Sequence, residues 1–428
     1  MPAFRAPRGT RDLLPADRAP FARLERIARD LALRYGYREM ETPLFEQAGV
    51  FERGIGEATD VVEKELFRVT PSRGEERERW ALRPEATAGI CRAYVEHGMQ
   101  TWPQPVRLSL LGPMFRYDRP QAGRYRQFWQ WNVEAIGDVG PAVDAEQIEL
   151  GARFYREVGL ADVEVLLNSI GDPACRPAYV EALASYFRAH VDALPELERH
   201  RLETNPLRLL DSKDPGMAAL IAAAPKMSEW LCSACAAHVA SVRAHLDAIG
   251  VAYRVEPALV RGLDYYTRTT FEFYRRGAGG QQQALGGGGR YDGLVELLGG
   301  KPTPGIGFAL GLDRVVLALA GAGAAQPEEA SPIAVVVGAD ASDTAGRLVV
   351  ATRLRDTGLA VHADLSRRKL GRQLEAAVKE GAQFAVILGD ELAQGDVGLR
   401  DLDAASQKLV PLADLAALLR RKTPAAPG

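Results

Sequence analysis

The sequence predicts two differently built parts. The first is an α+β portion over an antiparallel sheet, interrupted by a helical stretch; the second is a separate α/β domain. Three observations predict this. Two extended segments, 106–116 and 127–136, flank a polar, arginine-rich connection, which is an antiparallel hairpin with a long tip. From about 172 to 244 the apolar period becomes helical. After residue 331, short apolar strands alternate with helical stretches, the pattern of a mainly parallel sheet.

Each element has its own signal. Phe21, Leu24, Ala28, Leu31 and Tyr35 fall at helical spacing between Pro20 and Gly36. An extended piece is expected at 66–69. In the second hairpin strand Trp129, Trp131, Val133 and Ala135 share one face, while Gln130, Asn132 and Glu134 share the other. Asp211 to Pro215 is a turn cluster inside the helical stretch. Strand character returns at 253–255 and 267–274. A glycine-rich stretch, 277–289, leads into Arg290-Tyr291-Asp292; its four glycines 286–289 allow close backbone approach to a ligand or simply make a flexible loop. Residues 305–311 read as a strand running into a helix over 312–320. The 326–331 stretch reads as a linker between a first domain, 1–325, and a second, 332–421. In the second, strands are expected at 333–337, 361–364 and 384–388, with helices at 344–356 and 370–380. The tail from 423 is expected to be disordered.

Composition excludes several classes. The chain has 428 residues, 47% hydrophobic and 25% charged, which suits a globular protein of about three domains and excludes a disordered or fibrous chain. The longest apolar run, 315–325, is too short for a bilayer, and the N-terminus lacks the apolar core of a signal peptide. Four scattered cysteines build no disulfide framework, so a reducing cytoplasmic setting without a membrane is expected. A net charge of −3 puts any nucleic-acid contact into local patches.

Several stretches can carry chemistry. No phosphate-binding loop with its lysine is present, and no His-Glu-x-x-His helix. Cys232-x-x-Cys235 is half of a zinc ribbon and is followed by His238. With no second pair at ribbon spacing it reads as two small residues on an amphipathic helix, and no metal ligands are assigned. Arg116 ends the first hairpin strand, and Arg119, Gln121, Arg124, Tyr125 and Arg126 occupy its tip. Arginine forks there clamp phosphate or line a solvated loop. Glu134 is costly if its sheet is covered on both faces and ordinary if that face is wet. Glu85 and Thr87 either grip an ammonium group together or start a helix running through Tyr94. Arg314 lies in the first turn of a helix, where a cation opposes the dipole; a bound anion or an ion pair with Asp313 would explain it. Arg261-Gly262-Leu263-Asp264-Tyr265-Tyr266 gathers charge and phenols just before a strand.

In this order the pieces resemble a class II aminoacyl-tRNA synthetase, and within that class the histidyl-tRNA synthetases. Phe115-Arg116 through Glu134 resembles the second motif of the class, and Gly305 through Arg314 the third. The histidyl signature is Leu259 to Thr267. Arg8 to Asp12, Arg83 to Thr87 and Gly287 to Asp292 also match, so the resemblance runs from about residue 4 to 420. It implies an antiparallel synthetase sheet flanked by helices, a helical insertion at 172–244, and an anticodon-binding α/β domain. It implies ATP-dependent ligation of L-histidine to tRNA(His) through a histidyl-adenylate, with Mg2+ on the phosphates, by a homodimer. Arg116, Arg261 and Arg314 resemble the arginines on the ATP phosphates. Glu85, Thr87 and Gln130 resemble the residues on the substrate's amino group. Glu134 and Tyr266 resemble those on the imidazole, with Tyr265 and Tyr291 lining the pocket. Arg119 and Gln121 would approach the tRNA acceptor end; Arg367, Arg368, Lys369 and Arg372 would meet tRNA phosphates. One departure is Trp129, where many members carry histidine; it points to the other strand face, so little effect is expected.

Two rivals remain within the resemblance. One is the synthetase-like regulatory subunit of ATP phosphoribosyltransferase, which senses histidine without charging tRNA. Those chains typically lose the C-terminal domain and the arginine signatures, which this chain keeps. The other is a class II synthetase for glycine, threonine or proline, against which the 261–267 signature argues.

Overall fold

The computed structural model describes residues 4–56, 59–70, 79–276, 284–323, 331–340 and 342–422. Most of the glycine-rich stretch before Ala284, nearly all of the expected linker and the tail from 423 lie outside them. The chain divides into two compact units, 1–327 and 328–428. Among the described residues no helix is long and apolar enough to cross a membrane.

The first unit's strands, in chain order, are β1 (Arg38–Glu39), β2 (Phe45–Gln47), β3 (Arg68–Val69), β4 (Trp80–Leu82), β5 (Val106–Phe115), β6 (Gln127–Ile136), β7 (Val163–Ser169), β8 (Tyr253–Val255), β9 (Thr267–Arg275), β10 (Ala284–Arg290) and β11 (Gly305–Gly311). Its helices are α1 (Pro15–Arg34), α2 (Ala48–Ile55), α3 (Asp60–Glu63), α4 (Thr87–Glu96), α5 (Pro141–Val158), α6 (Arg176–Arg188), α7 (Glu196–Thr204), α8 (Ala218–Ala223), α9 (Ser233–Ala248), α10 (Leu294–Leu297) and α11 (Leu312–Gly321). Eight strands form one sheet in the order β1-β5-β6-β11-β10-β9-β7-β8. Its long central pairs are antiparallel; the short edges β1 and β8 pair parallel to β5 and β7.

The alternation of β6 decides which face carries what. Trp131, Val133 and Ala135 enter the core formed with α1, α5 and α11. Trp129 packs against that core, edge-on to Phe21 at 6.0 Å, so it does face away from Gln130 as expected. The opposite face is covered too. Val106, Leu108, Leu110 and Met114 of β5 join α2, α4 and Tyr265, Tyr266 and Tyr291 in a second core. A sheet covered on both sides leaves Glu134 little water: it is 1% exposed.

Four elements differ from the expectation. The first helix begins at Pro15, upstream of Pro20, which is buried within it. The glycines 286–289 are not a loop but the middle of β10, paired on both edges. Helix α5 and strand β7 were not foreseen at all.

The second unit has β12 (Ala334–Gly338), β13 (Val361–Ala363), β14 (Phe384–Leu388), β15 (Asp396–Asp401) and β16 (Ser406–Pro411), with α12 (Thr344–Arg355), α13 (Leu370–Lys379) and α14 (Leu415–Lys422). The order is β13-β12-β14-β15-β16. The first three are parallel, as expected of βαβ units; β15 and β16 add antiparallel, so the sheet is mixed rather than mainly parallel. Their sequence is polar and alternating, Asp-Val-Gly-Leu-Arg-Asp, which is a weak signal beside the apolar run of β14.

Candidate active site

A cavity of about 1260 Å³ opens over the α4 face of the large sheet. That is larger than the usual range for one small ligand, roughly 300–1,000 Å³. Its walls gather residues that are far apart in sequence: Glu85, Thr87, Arg116, Gln130, Arg261, Tyr265, Tyr266, Tyr291 and Arg314 all line it.

At one end the lining residues Thr87 and Tyr291 converge on Glu134, which sits behind them and is not itself part of the wall. Its carboxylate accepts hydrogen bonds from Thr87 Oγ1 at 2.6 Å and from the Tyr291 hydroxyl at 2.6 Å. Burial pushes its pKa up to about 8, partly offset by those two donors. Each oxygen keeps a further lone pair for a ligand donor. The wet-face alternative for Glu134 is thereby excluded. Tyr265 stacks tilted on Tyr266 at 4.6 Å and meets Tyr291 edge-on at 5.9 Å, giving the pocket aromatic walls. Gln130 Oε1 is buried with no protein partner.

Glu85 starts α4. Its carboxylate accepts from the backbone N–H groups of Thr87 at 2.7 Å and Ala88 at 2.9 Å, satisfying donors that every helix leaves orphaned. Helix start and cavity wall are therefore the same place. Burial raises the Glu85 pKa against those two bonds.

At the other end sit cations. Arg116 Nε donates to Pro84 O at 2.8 Å, and its guanidinium lies over the Phe128 ring at 5.6 Å. Arg314 donates to Ala284 O at 2.6 Å. It does not pair with Asp313, which instead accepts from Arg11 at 2.8 Å and from Trp129 N at 2.8 Å. Burial lowers the Arg314 pKa, and the neighbouring Arg124 and Arg116 charges lower it further. Like charges held this close and half-buried suit an anionic ligand. Arg261 pairs with Glu272 at 2.8 Å and reaches over Tyr266.

Glycines make room for these side chains. A Cβ on Gly307 would sit 1.7 Å from Glu134 Oε2, one on Gly305 2.2 Å from the Tyr291 ring, and one on Gly287 2.8 Å from the Arg261 guanidinium. Close approach is what the run 286–289 permits, but to the backbones of the neighbouring strands and to the Arg261 and Tyr266 side chains.

Sequence reasoning missed some contributors. Arg83 is 1% exposed and ties Thr42 O (2.8 Å) to Pro113 O (3.0 Å), fixing the segment that carries Glu85. Glu272 is the partner of Arg261, and only its strand, not its role, was legible. Arg119 and Gln121 are exposed on the hairpin tip and do not line the cavity. In the second unit Arg367, Arg368, Lys369 and Arg372 are exposed around the start of α13. Arg368 is held by Asp364 at 3.0 Å and Arg372 by Glu375 at 2.6 Å. The buried Arg347 fixes the loop beneath them through Ser366 O at 3.1 Å.

Comparison with known proteins places these features. A family model described as histidyl-tRNA synthetase matches residues 9–315, and one described as anticodon binding domain matches 333–422. A histidine–tRNA ligase of Desulforudis audaxviator is 46% identical over 416 residues, 97% of this chain and 98% of that protein. The crystal structure of apo S. aureus histidyl-tRNA synthetase superposes with a TM-score of 0.80 at 34% identity, covering 98% of this chain and 100% of that one. An ATP phosphoribosyltransferase regulatory subunit/histidyl-tRNA synthetase from Bacillus halodurans gives 0.63 at 22% identity over 90% of this chain and 98% of that one, a likeness of fold alone.

Proposed function

This chain belongs to the histidyl-tRNA synthetase family, and on that premise we propose how its residues divide the work. It is an aminoacyl-tRNA ligase: it uses ATP to attach histidine to tRNA(His). The observation that carries the residue assignment is the polarity of the cavity: at one end Thr87 and Tyr291 line it while bonded to the buried Glu134 carboxylate behind them, and arginines line the other. An imidazole N–H meets Glu134, and Tyr266 takes the second ring nitrogen. Tyr265 and Tyr291 close round the ring. The ammonium group sits by Glu85, Thr87 and Gln130, whose unpaired Oε1 is an acceptor waiting for a donor. A pocket built on such hydrogen bonds rejects an apolar analogue by ~10⁴ or more, because its buried groups are then left unpaired.

The substrate carboxylate then points to the arginine end. There it attacks the α-phosphorus of ATP in line, forming the acyl-phosphate bond while pyrophosphate leaves. The step needs alignment and positive charge rather than a covalent nucleophile. Arg116 and Arg261 hold the α-phosphate and Arg314 the outer phosphates. Mg2+ takes oxygen donors, usually one or two carboxylates beside phosphate oxygens. Glu272, paired with Arg261, and Asp118, paired with Arg124, line the cavity and would offer such carboxylate oxygens; a bound Mg2+ would neutralise phosphate charge there. A ribose hydroxyl of the terminal tRNA adenosine, the 3′-OH, then attacks the adenylate carbonyl and AMP leaves. Arg119 and Gln121 approach that acceptor end, and the 367–372 cluster meets phosphates, aided by the N-terminus of α13. The protein works as a cytoplasmic homodimer.

The regulatory-subunit reading asks for none of the arginine end, and this chain keeps Arg116, Arg261 and Arg314 on one cavity. Titration calorimetry tests the pocket. Glu134→Gln is expected to weaken histidine about 10- to 100-fold, the cost of one hydrogen bond to a charged group, with ATP nearly unchanged. Equal losses for both ligands would refute the assignment.

A further inference from the structure

The second half of the missing zinc motif is in the structure. Cys232 caps the start of α9 and Cys235 lies in its first turn. Cys175 caps α6, and Asp172 stands in the turn before it. These four donor atoms all lie within 4.8 Å of one another. His238, next in sequence, is not among them; it pairs with Asp144 at 2.8 Å.

We infer that Asp172, Cys175, Cys232 and Cys235 form a closed, four-coordinate site for a divalent cation of the zinc class. Tetrahedral zinc at ~2.3 Å from sulfur separates two thiolates by ~3.8 Å, and a thiolate from a carboxylate oxygen by ~3.6 Å. Cys175 Sγ and Cys235 Sγ stand 3.8 Å apart, and Asp172 Oδ1 is 3.5 Å from Cys175 Sγ and 4.0 Å from Cys232 Sγ. The ligands are set by their backbones: Asp172 N points at Cys175 Sγ, and Ala174 N donates to Asp172 Oδ1 at 3.0 Å. Gly171, at φ +66°, leaves the space, since a Cβ there would lie 2.8 Å from Cys175 Sγ. Three thiolates and a carboxylate leave the filled site with excess negative charge. Arg268 answers it, pairing with the other Asp172 oxygen at 3.3 Å, the outer-shell partner such sites use.

The position gives the ion a purpose. Cys175 and Cys235 sit at the starts of α6 and α9, the first and last helices of the insertion, and Asp172 follows the end of β7. Arg176, beside Cys175, donates to Ile170 O, Gly171 O and, at 2.6 Å, to Tyr266 O. Arg268 holds a left-handed φ of 51°, a strained conformation kept only by firm surroundings. The ion clamps the insertion to the sheet directly behind Tyr266. This last link rests on the pocket assignment above; the metal site itself does not.

The test uses the full chain purified without chelator from zinc-supplemented cells. Elemental analysis is expected to find one zinc per chain, released as a thiol-specific mercurial titrates the cysteines. Cobalt in its place should show thiolate charge-transfer bands and tetrahedral visible absorption. Cys232→Ser should lose most of the metal, and Asp172→Cys, a four-thiolate version, should keep it. Cys91→Ser, which alters a buried cysteine elsewhere, should keep it as well. Chelation should lower the melting temperature of the native chain but not of Cys232→Ser. Free thiols at Cys175, Cys232 and Cys235 with no zinc uptake would overturn the site. So would a Cys175–Cys235 disulfide seen as a loss of two hydrogens by mass, or zinc retained undiminished by Cys232→Ser.

Discussion

Glu134 is where one residue's physics reaches furthest. Its folded pKa of about 8 stands above an unfolded carboxyl's ~4.3, because burial penalises the charge. The folded chain therefore holds a proton there that the unfolded chain releases. Stability from this group is full at low pH and is lost as pH climbs from ~4.3 through about 8, by a few kcal/mol. Glu134→Gln should flatten that slope in chemical denaturation. The ligand sees the opposite sign. The charged carboxylate is the better acceptor for an imidazole N–H, so the histidine KM should fall from about pH 7 to about 8.5 and do so less in Glu134→Gln. A wild-type KM flat over that range would contradict the reading. Arg261 makes a second case at this scale. Arg261→Ala should cut pyrophosphate exchange about 10²- to 10³-fold while circular dichroism stays native, since it removes preorganised charge at a developing anion. Unchanged exchange would remove it from the phosphate end.

At the scale of elements, β10 shows how a strand serves two faces. Gly287 and Gly289 leave room for Arg261 and Tyr266, while Arg290 at its end turns away from the cavity. Arg290 and Asp144 are both fully buried and form an ion pair, which His238 and Thr269 join through Asp144. Arg290→Met should cost about 3–5 kcal/mol in denaturant unfolding, because it strands a buried carboxylate. A near-neutral Arg290→Met would mean the pair is solvated. The same strand shows the limit of reading sequence. Strand β6 was legible because strict alternation has one structural solution, and it carried Glu134 with it. Four glycines carry no period, so β10 read as a loop. Arg314 was placed correctly on a helix start, but its acceptor, Ala284 O, lies 30 residues away and left no local signal. Asp172 and Cys235 meet only because the insertion closes on itself. Long-range pairing is what short motifs cannot encode; what made the cavity residues legible together was the family resemblance, not their spacing.

The whole molecule pairs a 1–327 unit bearing the cavity with a 328–428 unit bearing a basic helix start. The two tasks should separate. Deleting 331–428 should impair tRNA charging far more than adenylate formation, and equal loss of both would make the second unit a structural support. Sedimentation should give a dimer. The most direct measurement is ATP–pyrophosphate exchange with each of the twenty amino acids in turn. Exchange with histidine alone is the expected result, and it would establish activation and specificity together. No exchange while histidine still binds would contradict the ligase and favour a histidine-sensing subunit.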